Sequence, residues 1–209
     1  LFGYVAQFLY EGDSPLAERR AAALALDPSL LADLLGTAEG LSLTDLLDPD
    51  ALTRTENELQ HLADGRRARD PDELTDVLRA LGPLSLAGVT ARCEGRDPSG
   101  TAAWLQRLED ERRVIRIQLA GAEHWVAVED AGKLRDALGA APPLGVPDAF
   151  LEPTDDPLGD LASRYARTHA PFTAAEFAAS LGLAPAVARD VLRRLATAGR
   201  LVEGDLRPP

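Results

Sequence analysis

Residues 82–92, GPLSLAGVTAR, and residues 170–180, APFTAAEFAAS, are two versions of one pattern. The likeness resumes downstream, where WLQRLEDERRVIRI (104–117) aligns with VLRRLATAGRLVEG (191–204) after a one-residue insertion. An internal repeat constrains a fold more than any local signal, because each copy must build the same kind of unit.

The second copy reads as three helices. Leu158, Leu161, Ala162 and Tyr165 fall on one helical face. Thr173 followed by Glu176 predicts a capping box, with Phe172 and Phe177 at the positions of a hydrophobic staple. Gly182 suits the residue after a helix and Pro185 the first turn of the next. Val187, Val191, Leu192 and Leu195 form the expected buried stripe of that third helix, which Gly199 closes.

The first copy opens with an amphipathic helix over 73–80 and continues past its helices into a pair of strands. Ile115, Ile117 and Leu119 alternate as in a strand, AGAE at 120–123 turns the chain, and 125–129 returns. Three helices and a β-hairpin make a winged helix, a variant of the helix-turn-helix. The second copy is expected to begin the same hairpin at Leu201 and Val202, with a turn at Gly204 and Asp205.

The expected fold is therefore mainly α: tandem winged-helix domains with an N-terminal helical segment. Residues 1–69 read as a helical lead-in or a degenerate winged helix, with helices near 3–10, 15–26, 29–35 and 50–62. Residues 70–139 form the first winged helix and 140–155 a proline-rich linker anchored by Phe150 and Leu151. Residues 156–209 form the second winged helix, its wing cut short. A chain that starts at Leu1 and has no methionine is expected to be a piece of a longer protein.

Charge narrows the search for a partner. The chain carries a net charge of -12, yet residues 156–209 hold 7 arginines against 6 acids. Overall acidity disfavours nonspecific nucleic-acid binding, so a contact is sought in that last stretch. In helix-turn-helix proteins the second helix of the motif enters the groove. Here that helix spans 185–198, with Arg189 and Arg193 four residues apart on its outer face, Arg194 beside them and Arg200 leading out. Such arginines clamp phosphates or read guanine edges; the other reading is a solvated helix face, and Asp190 dilutes the row. In the first copy Arg112, Arg113 and Arg116 alternate with Glu109, Asp110 and Glu111, the pattern of a salt-bridged surface as well as of a weaker contact. Trp125 in the wing is either a stacking platform for an unpaired base or a core residue.

Catalytic devices do not assemble. Lys133, the only lysine, is followed by Leu134 and has no glycine-rich lead, so no phosphate-cradling loop is present. Cys93, His61, His124 and His169 lack metal-ligand spacing. A single cysteine cannot form an internal disulfide and suits a reducing cytoplasm. No apolar run approaches bilayer length. The expectation is a segment without catalytic residues, metal or cofactor of its own.

Several stretches go further than pattern: VAQFLYEGDSPLAERRAAALALD, WVAVEDAGKLRDALG, GVPDAFLEP, DPLGDLASRYARTHAPFTAAEFAASLGL and DVLRRLATAGRLVEGDLRP. They closely resemble the large helicase-related (Lhr) family of bacterial helicases, from near Val5 to the end. The resemblance implies a parent that is an ATP-dependent 3′-to-5′ DNA or RNA–DNA helicase linked to DNA repair, with ATP and Mg bound in a motor upstream. It places this stretch at the start of a C-terminal extension, a row of winged helices leading to a β-barrel similar to AlkZ-type DNA glycosylases. The Gln-x-Gln signature of those glycosylases is missing, since Gln7, Gln60, Gln106 and Gln118 are isolated. Implied partners are single-stranded DNA or an RNA–DNA hybrid and the rest of the helicase chain. Two readings stay open: a nucleic-acid-holding module, or a scaffold for interdomain packing or homo-oligomerisation.

Overall fold

Four Asp-Pro pairs set the frame. In each, the aspartate side chain accepts a backbone N–H of the first helical turn, and the proline supplies a fixed φ where no N–H is needed. Asp48 accepts from Asp50 N at 2.9 Å, Asp70 from Glu73 N at 2.8 Å, Asp97 from Gly100 N at 2.8 Å and Asp156 from Gly159 N at 3.1 Å. These pairs start α1 (Pro49–Leu59), α2 (Pro71–Leu81), α4 (Pro98–Asp110) and α6 (Pro157–Thr168). The computed structural model describes residues 48–204; the helices expected over 3–35 and the end of the second wing lie outside the described residues.

The remaining elements are α3 (Leu86–Thr90), strands β1 (Val114–Leu119) and β2 (Ala122–Ala127), α5 (Ala131–Leu138), α7 (Ala174–Leu181) and α8 (Pro185–Thr197). β1 and β2 pair antiparallel, Arg116 opposite Trp125 and Leu119 opposite Ala122. Ala120 and Gly121 connect them with φ of 52° and 79°, both left-handed, as the tight hairpin turn requires. Leu84, between α2 and α3, bonds both ways to Trp125 and extends the sheet by one bridge. α2, α3, α4 and the hairpin thus form a winged helix.

The capping box at Thr173 and Glu176 is present as read, and Phe172 and Phe177 both pack on Tyr165, with ring centroids 4.9 and 5.1 Å away. Two readings need correction. Val187 is 43% exposed, and Ala188 takes its place in the buried stripe beside Val191 and Leu195. Val187 sits in the first turn of α8, where the stripe has already rotated past the core. Leu201 and Val202 form no strand: Leu201 is drawn half-buried onto the core and Val202 is exposed.

Among the described residues the hairpin lies between two cores. Successive residues of a strand point to opposite faces. Val114, Trp125 and Ala127 enter a core with Leu74, Leu78, Val89, Leu105 and Leu108 of the first copy. Ile115, Ile117, Leu119 and Val126 enter a second core with Leu161, Phe177, Leu181, Val191 and Leu195 of the second copy. The wing of copy one is therefore packed on both sides, and the second core runs across the stretch expected to be a linker. Phe150 and Leu151 dock on that core, and the backbone there lies so close to α5 that a Cβ on Gly132 would meet Phe150 O at 2.8 Å.

Two polar joints fix the parts. Arg92, buried at the end of α3, donates Nε to Gln60 O at 2.7 Å, Nη2 to Gln60 Oε1 at 2.6 Å and Nη1 to Gly88 O at 2.8 Å. Gln60 Nε2 then donates to Thr168 O at 2.6 Å, so the ends of α1, α3 and α6 meet at one amide. Burial pushes the Arg92 pKa down, opposed by the nearby Glu56 carboxylate. The second joint is Arg164 to Asp130, with Lys133 4.0 Å from Asp130 and 3.8 Å from Asp160.

Candidate nucleic-acid interface

α8 is held from below by Ala188, Val191 and Leu195, and that fixes which side chains face out. Arg189 and Arg193 are exposed, and neither guanidinium has an ion pair or hydrogen bond among the described residues. At a spacing of four residues they lie one turn apart, roughly 5–6 Å between Cβ atoms. Arg194 is tied to Asp156 at 3.1 Å, with both side chains about half exposed. That hydrogen bond, with smaller contributions from the Gly159 N–H and the charge of Arg200, holds the Asp156 carboxyl below its ordinary pKa. Arg200 is exposed just beyond the helix.

The first copy spends its arginines differently. Arg107 bonds Glu111 at 2.8 Å, Arg113 bonds Asp72 at 2.6 Å, and Arg116 bonds Glu109 at 2.9 Å. Arg112 follows α4 in the left-handed region, φ 58°, and is exposed beside a groove that Glu109 and Asp110 also line. Exposed pairs of this kind add little stability, but they neutralise the local field.

Trp125 is a correction. Its side chain is 6% exposed, its backbone is bridged to Leu84, and the Arg116 guanidinium lies 5.3 Å from its ring centroid on the outer side. No ring face is left for a base. Trp104 is half-buried against the first core, with Arg96 3.6 Å over its ring. Cys93 is buried where Ala68 bridges it, and burial pushes its thiol pKa up, so it is poorly suited to nucleophilic work.

The structure thus places Arg189 and Arg193 on the exposed side of α8, turns Arg194 to Asp156, leaves Arg200 exposed beyond the helix, and ties Arg113 and Arg116 into acidic pairs. Two things escaped the sequence reading: the exposed Val187 beside the arginine row, and the hairpin tip next to it. Gly182, between α7 and α8, is so close to that tip that a Cβ on it would lie 2.8 Å from Ala120 Cβ. Among the described residues no group of three or more His, Cys, Asp or Glu is placed to hold a metal ion, and no helix is long and apolar enough to cross a membrane.

Comparison with known proteins fits this geometry. A family model for the winged-helix domain of the large helicase-related protein matches residues 45–153, which include α1 to α5 and the hairpin. The chain belongs to the large helicase-related family. Two Lhr relatives align over nearly the whole chain. The Lhr helicase/probable uracil glycosylase of Mycolicibacterium smegmatis is 52% identical over 98% of this chain. The Lhr helicase/uracil glycosylase of Escherichia coli is 41% identical over 95% of it. The chain spans 13% of the length of each of these Lhr proteins.

Proposed function

We propose that this chain is a noncatalytic winged-helix module of an ATP-dependent helicase and that it holds nucleic acid on the outer face of α8. The observation that carries the reading is the contrast between the two third helices. Among the described residues Arg189 and Arg193 on α8 have no ion pair, whereas Arg107, Arg113 and Arg116 on and after α4 are bound to acids of their own copy and Arg112 lies beside Glu109 and Asp110. A cation without an internal partner is the one that gains most from a phosphate. The acidity elsewhere confines the contact to that face.

In this reading two winged-helix units, 70–139 and 156–209, are joined through 140–155, with 1–69 leading in. The ATP and Mg of the reaction belong to a motor elsewhere in the parent, as does any base-excision chemistry, since both relatives are named as helicase and glycosylase. The substrate is single-stranded DNA or an RNA–DNA hybrid, the setting cytoplasmic and the process DNA repair. The second reading, a scaffold that sets the spacing of other domains or of subunits, is favoured by one observation: the base of the hairpin is packed on both faces, Val114 and Trp125 in one core and Ile115 and Val126 in the other.

Fluorescence anisotropy separates the two. Labelled single strand, duplex and RNA–DNA hybrid are titrated with the 209-residue chain, the variant Arg189→Ala/Arg193→Ala, and the charge-matched control Arg107→Ala/Arg116→Ala. Loss of affinity in the first variant and not in the control supports nucleic-acid contact. Equal affinity of all three proteins, or no binding at low salt, supports the scaffold.

A further inference from the structure

The second copy has no strand at its own wing position among the described residues, yet a hairpin lies against its three helices: that of the first copy. Ile115, Ile117, Leu119 and Val126 share one core with Leu161, Phe177 and Val191, that is, with α6, α7 and α8 in turn. The hairpin's tip reaches the α7–α8 turn, because Ala120 sits where any side chain at position 182 would have to go. In a helix-turn-helix, that turn and the N-terminal end of the following helix face the groove. We propose that β1–β2 serves as the wing of the second copy, and that its tip, Gln118 to Glu123, forms one nucleic-acid-facing edge with Val187, Arg189 and Arg193. The inference rests on the proposed function and adds to it a second contact element, contributed by the other copy.

The chemistry of the tip makes the inference specific. Ala120, Gly121 and Ala122 are small and exposed, so a sugar–phosphate backbone can approach closely. Gln118 is exposed and offers a neutral donor. Glu123, exposed and opposite Gln118, is the one charge on the tip; it projects from the sheet face that turns away from the second core, so it acts on a phosphate through its field rather than by contact, and with the wrong sign. Its charge also helps hold the Arg116 pKa up, after the larger effect of Glu109. The tip therefore limits affinity through Glu123, and reversing that charge strengthens binding.

The test uses a short fluorescein-labelled single strand at low salt and five proteins: the 209-residue chain, Glu123→Lys, Glu123→Gln, Asp64→Lys as a control for net charge in the α1–α2 connection, and Arg189→Ala/Arg193→Ala. A tip within a Debye length of phosphate predicts that Glu123→Lys tightens binding by about fivefold, well beyond the control. Glu123→Gln gives a smaller gain of the same sign, and backbone amides of the tip exchange more slowly when the single strand is added. Equal effects of Glu123→Lys and Asp64→Lys, with binding still lost in the arginine variant, would overturn the shared wing alone. Binding that ignores the arginine variant would overturn the proposed function on which it rests.

Discussion

Arg164 of α6 donates Nη1 to Asp130 Oδ2 at 2.6 Å, and this ion pair crosses from one copy to the other. The side chains are 13% and 8% exposed, and the second guanidinium nitrogen, Nη2, is buried without a hydrogen-bond partner among the described residues. Removing one member of such a pair leaves an uncompensated buried charge. Asp130→Ala is therefore expected to cost about 3 kcal/mol in urea unfolding. The double variant Asp130→Leu/Arg164→Met recovers most of that, because apolar packing replaces the pair. A single variant as stable as the parent chain would show the pair to be hydrated.

Gly182 and Gly139 make a controlled comparison. Both end helices in the left-handed region, at φ of 65° and 67°. Space around Gly139 is open, whereas a Cβ on Gly182 would collide with Ala120. Gly139→Ala should cost about 1 kcal/mol for its backbone alone. Gly182→Ala should cost more, because its Cβ also meets Ala120 Cβ and Cα. Equal losses in thermal unfolding would mean that tip and turn are not in contact.

A shared core predicts shared unfolding. Ile117 belongs to the first copy in sequence and packs with Phe177 and Val191 of the second. Ile117→Ala should destabilise by about 2–5 kcal/mol, and fluorescence and circular dichroism should report one coincident transition. Two separated transitions, with only one moved by the substitution, would mean that the copies fold independently.

Much of this arrangement is legible in sequence, and the boundary is physical. The Thr173–Glu176 box is local, so spacing reveals it, whereas spacing does not reveal that Phe172 and Phe177 both pack on Tyr165. Alternation in β1 reveals that Ile115, Ile117 and Leu119 are buried, but not against what, because a period of two is silent about the partner. Trp125 and Val126 are both buried, which only a sheet covered on two faces explains. α5 escapes because eight residues starting from a 3₁₀ turn give too short a period. The Arg92–Gln60–Thr168 joint escapes because a polar contact over more than a hundred residues leaves no pattern. Of the candidate site, the α8 arginines are visible as a row, but which arginines are neutralised depends on tertiary neighbours such as Asp72 for Arg113 and Asp156 for Arg194.

Acid sensitivity arises from carboxylates that are bonded only in the folded chain. Arg69 hydrogen-bonds Glu73 and holds its pKa from an ordinary 4.5 down to about 2. Asp97, bonded by the Gly100 N–H, and Asp156, bonded by Arg194, are also lowered. A lowered folded pKa means the unfolded chain takes up protons first. The stabilisation is thus complete above about 4.5 and is lost as pH falls toward 2 for Glu73. Urea midpoints measured across that range should fall with pH, and Glu73→Gln should flatten the slope. A variant with an unchanged slope would place the effect at other carboxylates.

The salt dependence of single-strand binding tests the central claim most directly, because it counts phosphates. If Arg189 and Arg193 each displace a counterion, the slope of log Kobs against log salt should become shallower by about 1.4 in Arg189→Ala/Arg193→Ala. An unchanged slope, or affinity that does not depend on salt in the 209-residue chain, would contradict the assignment of α8 as the nucleic-acid face.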